Sequence, residues 1–434
     1  MAMALHALPV AALALAGTAA FAQASQPAPE PMPTPSPWTF DTELRALRTW
    51  RGGNTAGPLA EALRLQPGLT AAPASSSGLE LHSRARWRGL SADALLAHEH
   101  TDGGPGESTA RFNELEWSCE AAGWAWNVGK KIVGWDVGQG FRPNDVVQQE
   151  QRRSLLASTP EGRPLLQAER FGADDALSLV WVNPHRLNAA LEQQRRAEES
   201  ALAARWYRRD GALDWHGTAR LGRRTGASLG VAFAWVAGDE VELHASARRL
   251  QRHYGWALAD GTGGAPVAAN PWQLGTQGAA SQWLLGASWT GARQISLLAE
   301  AWHDGSAPSR RQWRDWQARN TALASVGTQL GLPDGLRIAT AGNLAWQTTP
   351  FDGASLQRDN LYIRLAWQPE GWQASLDGLY HPADHGRVVT AGLQWQGDRW
   401  RLNAAWRHVG GPATSVLAQL PTRTQAVLAA TRSF

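Results

Sequence analysis

The chain has 434 residues, a formal net charge of +3 and a mean hydropathy of −0.35. That charge is too small to argue for a nucleic-acid partner, and the longest basic blocks are arginine pairs such as 152–153, 248–249 and 310–311. Cys119 is the only cysteine, which excludes an intrachain disulfide and a cysteine-built metal site. The aromatic usage is lopsided, with 24 Trp against 4 Tyr and 8 Phe; an indole, apolar with a single N–H donor, suits the boundary between hydrocarbon and headgroups.

In chain order, residues 8–22 read LPVAALALAGTAAFA, an apolar stretch of export-signal length that is too short to cross a bilayer as a helix. Ala20 and Ala22 fit cleavage after Ala22, so 1–22 is expected to be a signal peptide, although MAMALH carries no Lys or Arg. Residues 23–37 form a Pro-rich linker. Residues 38–74 are expected to be a short periplasmic or plug segment, because DTELRALRTW (41–50) and PLAEALRLQ (58–66) look like short amphipathic helices.

From about residue 75 to the end the chain is written in period two. Leu115, Trp117 and Cys119 alternate with Glu114, Glu116, Ser118 and Glu120; Val241, Leu243, Ala245 and Ala247 alternate with Glu242, His244, Ser246 and Arg248. Trp283, Leu285, Ala287 and Trp289 share a face, as do Leu336, Ile338, Leu344 and Trp346 within 336–347. The same pattern fills 359–367, 387–396 and 398–407, and Trp recurs near segment ends at 181, 235, 289, 302, 346, 367, 395 and 406. Tight turns are marked at 290–292, 369–371 and 396–398, and longer polar connections near 259–280, 303–325 and 409–423. A helix is expected from 186, running into a strand that contains Arg205 and Trp206.

These segments predict an all-β fold, a transmembrane antiparallel β-barrel over 75–434, with an N-terminal helical and Pro-rich periplasmic segment. At about 20 residues per strand and connection it would hold roughly 16–18 strands, enough for an aqueous interior. Period two alone also fits a soluble sandwich, propeller or solenoid. No fixed-period repeat supports the last two, and the Trp-rich apolar faces favour lipid.

The densest polar run, GFRPNDVVQQEQRR at 140–153, could fold inward as a constriction, with Arg142, Asp145, Glu150, Arg152 and Arg153 setting a field across the pore. Arg364, Arg399, Arg401 and Arg407, with Arg205 and Arg220, fall on polar faces and would favour anions unless carboxylates such as Glu242 neutralise them. HPADHG at 381–386 places His381 and His385 beside Asp384, but Pro382 and Gly386 make it a turn with no third ligand, so no metal is expected. No spacing singles out a catalytic triad, dinucleotide fold or phosphate loop, so no catalytic residue and no cofactor are expected.

The C-terminal TQAVLAATRSF resembles the closing strand of bacterial outer-membrane proteins, with Leu428, Ala430 and the terminal Phe434 matching and Arg432 departing from the usual apolar residue. The stretch 129–153 is similar to a signature of large porin-like barrels, among them the alginate-export-like ones. In these, G-[RK]-x-x-x-x-W is followed by a [FR]-P-x-D element, here Gly129, Lys130, Trp135, Arg142, Pro143 and Asp145. The resemblance implies the outer membrane of a Gram-negative bacterium, with membrane lipid around the barrel and the outer-membrane assembly machinery reading Phe434. It implies passage of small hydrophilic solutes, anionic ones included, or of a polysaccharide, rather than an enzyme. The alternative is a closed barrel serving as an enzyme or as an assembly or secretion scaffold.

Overall fold

The computed structural model describes residues 38–148, 155–156, 160–182, 199–259 and 263–434. The expected signal peptide and linker lie outside these, as does the start, from 186, of the stretch expected to begin as a helix.

Alternating residues supply one face for lipid and one for water, and the strands follow that alternation. The first hairpins are β1 (Trp38–Gly53) with β2 (Ser76–Trp87), β3 (Leu90–Thr101) with β4 (Gly106–Ala121), and β5 (Trp124–Lys131) with β6 (Arg163–Phe171). There follow β7 (Asp175–Val182), β8 (Ala201–Asp210), β9 (Leu213–Gly222), β10 (Gly226–Val236) and β11 (Val241–Leu250). A separate hairpin, β12 (His253–Leu258) and β13 (Trp272–Gln277), precedes β14 (Ala280–Thr290) and β15 (Ile295–Asp304). The last strands are β16 (Asp359–Trp367), β17 (Trp372–His381), β18 (Gly386–Gln396), β19 (Trp400–Gly410) and β20 (Thr422–Ser433). Apart from the β12–β13 hairpin, each strand pairs antiparallel with the next, and β11 passes to β14. β20 returns to β1 from Glu43↔Ser433 to Gly53↔Thr422, closing an 18-stranded barrel.

The expected helix at 41–50 is instead part of β1, and the barrel begins at Trp38 rather than at 75. Leu44 and Trp50 face out while Glu43, Arg45 and Thr49 face in, and pairing on both sides overrides the helical preference of Glu, Leu, Ala and Arg. The second expected helix forms as α1 (Pro58–Leu65), in the loop between β1 and β2. The stretch 336–347 is not a strand but the helix α3 (Asp334–Trp346): its buried residues Thr340, Ala341, Asn343 and Leu344 follow the helical repeat. Before it lies α2 (Arg310–Gly327), which Ser309 and Gln312 open with a capping box.

The surplus tryptophan divides into two populations. At the short-turn end, Trp38, Trp87, Trp215, Trp235, Trp289, Trp367, Trp372 and Trp400 begin or end strands and are exposed on the outer face, a girdle at the interface. Trp38 stacks on Trp87 at 5.2 Å. At the long-loop end, Trp272, Trp313 and Trp316 are buried with Phe351, Val416 and Leu417 in a core beyond the barrel. Each indole N–H there has an acceptor: Gln347 Oε1 at 3.1 Å, the Leu356 carbonyl at 2.7 Å and the Gln347 carbonyl at 2.9 Å. Trp346 lies in α3 and Trp302 is buried, so neither belongs to the girdle.

Arg432 breaks the apolar pattern of the closing strand, and its surroundings explain it. Its guanidinium lies 5.7 Å from the Trp400 ring centroid and 4.9 Å from that of Phe434. The charge reaches the interface across two aromatic faces.

Two substitutions on one face of β16, two residues apart, test the assignment of faces. Ile363→Arg puts a cation on the lipid face of β16 and is expected to cost about 2–4 kcal/mol in a bilayer. Leu361→Ala on the same face should cost less, about 1 kcal/mol, because a lipid-facing methyl group leaves no cavity. Urea refolding into vesicles measures both; equal, small losses would place this face away from lipid.

Candidate pore constriction

The connection between β5 and β6 lies against the inside of the wall. Among its described residues, Val133, Trp135 and Val146 are buried with Leu165, Val180, Val182 and Ala203 of β6, β7 and β8. Those wall positions face inward, where a water-filled barrel carries polar residues; the loop covers them, so they are apolar.

Polar anchors hold the loop further round. Asn144 Nδ2 donates to the Val231 carbonyl at 2.9 Å and to Ser246 Oγ at 3.0 Å, and its Oδ1 accepts from Thr218 Oγ1 at 2.9 Å. Ser246 Oγ also donates to Asp136 Oδ2 at 2.9 Å, and Arg248 Nη1 donates to the Pro143 carbonyl at 3.0 Å. At the loop tip the Gln139 and Gly140 N–H groups donate to the two oxygens of Glu300 at 2.7 and 2.6 Å, while His244 Nε2 lies 2.9 Å from Glu300 Oε1. Phe141 stacks on Trp302 with ring centroids 5.8 Å apart.

Arg142 and Asp145, both expected at the constriction, form an ion pair at 3.2 Å inside this loop. Asp145 Oδ1 accepts from the Trp135 and Asp136 N–H groups at 2.7 and 2.9 Å, and Arg142 Nε donates to the Gly138 carbonyl at 3.0 Å. Much of their capacity therefore shapes the loop rather than facing the lumen. Glu150, Arg152 and Arg153 lie outside the described residues. The signature glycine Gly129 has φ +133°, and a Cβ there would meet the Leu115 carbonyl oxygen at 2.2 Å. Only glycine fits at this irregular point of β5, two residues before the strand ends.

Sequence reasoning missed the wall residues that receive the loop: Thr218, Ser246, Arg248 and Glu300. Each has a small residue opposite it, a signal that becomes readable only once the strands are paired. A Cβ on Gly230 would meet Asn144 Oδ1 at 1.7 Å, and one on Gly286 would meet His244 Nε2 at 2.1 Å.

The remaining candidates divide by position. Arg364, Arg401 and Arg407 face inward on β16 and β19, beyond the strands whose side chains anchor the loop, with Tyr362 of β16 beside the loop tip at Gly140. Arg399 does not: it is exposed in the turn before β19, where the alternation ends. The inward arginines are matched by acids or hydroxyls. Arg364 lies 3.6 Å from Asp377, Arg401 3.2 Å from Glu43, Arg45 3.3 Å from Glu80 and Arg84 3.0 Å from Asp93; Arg407 Nε donates to Thr390 Oγ1 at 3.0 Å. Arg205 contacts His216 Nδ1 at 3.1 Å, and Arg220 pairs with Glu199 at 2.9 Å.

No family model matches the chain, and no curated protein does. Solved structures match its fold. Acinetobacter baumannii OccAB2 superposes with a TM-score of 0.51 at 9% identity, covering 92% of this chain and 98% of its own. For A. baumannii OccAB1 the values are 0.51, 8%, 92% and 96%, and for Pseudomonas aeruginosa OccK11 (OpdR) they are 0.50, 9%, 92% and 96%.

Burial pushes the Asp145 carboxyl up to about 6 against the pull of Arg142, and it raises Asp136 as well. An exposed aspartate titrates near 4. Between about 4 and 6 the docked loop therefore holds a proton that the undocked loop has lost, so docking weakens as pH rises through that window and levels off above it. Besides Asp136 and Arg142, the wall cations Arg205 and Arg248 act on this carboxyl. Amide exchange at Trp135 and Asp136, corrected for intrinsic rate, should rise from pH 4 to pH 6 and become shallower in Asp145→Asn, with the remaining slope carried by Asp136. A flat profile in the parent protein would remove buried carboxylates from the account of docking.

Gly230→Val should displace the loop while leaving the barrel closed, because the added carbons occupy the site of the Asn144 amide. Protease sensitivity within 132–162, with unchanged heat-modifiability on gels, is the expected result.

The chain thus has the fold of the porin-type outer-membrane barrels.

Proposed function

We propose that the protein is a channel in the outer membrane of a Gram-negative bacterium, passing small hydrophilic solutes between the inner loop and the opposite wall. The observation that carries this reading is the division of the interior. One part of the wall is apolar or polar to suit the loop fastened over it, and the part from β16 through β20 to β4 bears charged side chains. A packed interior needs no such ladder, whereas charged side chains lining a pore set its ion preference. The same reading gives Phe434, 66% exposed at the end of β20, to the outer-membrane assembly machinery.

An anionic preference has weaker support than the arginine count suggests. Most inward arginines have a carboxylate within 4 Å, so their fields largely cancel along the pore. The reading is a narrow channel of low charge selectivity.

Planar-bilayer recording of the purified barrel tests this directly. Steady conductance with a reversal potential near zero in a salt gradient is expected. Arg364→Gln and Arg401→Gln each leave a carboxylate, Asp377 or Glu43, without its cation, and should move the reversal potential toward cation preference. A barrel that is heat-modifiable yet silent would overturn the channel and favour the scaffold or enzyme alternative.

A further inference from the structure

The outer face of β10, β11 and β14 is not evenly covered. Val231, Ala245 and Ala247 leave a groove of about 390 Å³, bounded by Phe233, Trp283 and Leu285. Ala247 is the floor residue toward the long-loop end, paired with Val231 on one side and Trp283 on the other. The next outward position along β11 is Arg249, exposed, with Nη1 donating to Ser281 Oγ of β14 at 2.6 Å. That bond holds the guanidinium over the end of the groove and leaves most of its N–H donors outward. Arg223 and Arg252 are exposed in the neighbouring connections, and no described outward residue in the upper halves of β9, β10, β11 or β14 is a carboxylate. At the opposite, short-turn end the strand ends and turns carry both signs, Arg208 and Arg209 beside Asp210, Asp239 and Glu240 together, and Arg293.

We propose that this groove is a lipid site, holding one acyl chain of a phosphate-bearing lipid whose headgroup sits on Arg249 in the outer leaflet. The groove is apolar and lies in the hydrocarbon band, so a chain fits it. Charge complementarity fixes the rest: arginine binds phosphate through several N–H donors, and the long-loop end offers arginines with no outward carboxylate beside them, whereas the other end mixes both signs, so the headgroup belongs at the long-loop end. A second copy of this chain fits less well, because it would bring its own arginines against these.

The inference rests on the barrel being embedded in a membrane, as proposed above, and the test keeps the two readings apart. Native mass spectrometry of the full barrel, released from detergent with equimolar phosphatidylglycerol and phosphatidylcholine of the same chains, should show one phosphatidylglycerol retained in at least ten-fold preference. Arg249→Ser should lower that retention at least five-fold. Ala247→Trp, which fills the groove, should abolish retention of either lipid, with Ala245→Trp as a second variant should the first fold poorly. Bilayer conductance should be unchanged in all three, since none of these side chains faces the lumen. Equal retention of the two lipids, retention indifferent to the variants, or a dimer that Ala247→Trp disperses would each overturn the proposal, whereas a silent parent barrel would strike at the channel reading alone.

Discussion

Backbone pairing in hydrocarbon is the constraint on which the rest of this structure depends. An amide or carbonyl facing lipid without a partner costs several kcal/mol, and no water is present to relieve it, so a sheet can cross only if its two edges meet. The edges here are β20 and β1, joined from Glu43↔Ser433 to Gly53↔Thr422. That requirement explains why DTELRALRTW is a strand despite its helix formers: as a helix it would leave β20 and β2 unpaired across the membrane. It also explains where helices are allowed. α1, α2 and α3 all lie in long-loop connections, outside the closed ladder.

Once the barrel is closed, its interior becomes a second surface on which to fold. The chain uses it by turning the β5–β6 connection back onto the wall, which creates the usual problem of a buried loop, namely unsatisfied backbone polar groups. Side chains solve it. Glu300 takes two successive N–H groups, Asp145 takes two more, and Arg142 and Arg248 cap carbonyls. These buried charges are fully occupied in fixing loop shape. The charged side chains left facing the interior are then those from β16 through β20 to β4, where most arginines have a carboxylate beside them.

The sequence was legible in most strands with one face to lipid, although at 41–50 the helix formers of β1 masked the alternation that pairing with β2 and β20 imposes. Alternation with Trp at the ends, as in 359–367, 387–396 and 398–407, identified strands that the structure contains. It failed where neither face met lipid. In 334–346 the apolar residues Leu336 and Ile338 sit two apart and imitate a strand, but the helix buries Thr340, Ala341, Asn343 and Leu344 against the cap. Local pattern cannot separate these when the partner surface is another loop. Arg142 and Asp145 were recognisable as a cluster, but the residues receiving that loop come from strands about 75 to 160 positions away. What singles them out is a missing side chain opposite each, at Gly230 and Gly286, which carries no meaning until the strands are paired.

The same stretch of wall is small on both faces. Inside, Gly230, Ala232, Ser246 and Gly286 make room for Asn144 and for His244 beneath the loop tip; outside, on the same strands, Ala245 and Ala247 leave the lipid-facing groove. Alanine and glycine on opposite sides of one backbone layer give it little side-chain mass to resist bending. The Asn144 bonds to the Val231 carbonyl and to Ser246 then bear directly on the strands that floor the groove. The loop and the outer groove therefore lie on the two faces of one backbone layer, and β10 and β11, which floor the groove, also supply Val231 and Ser246 to Asn144.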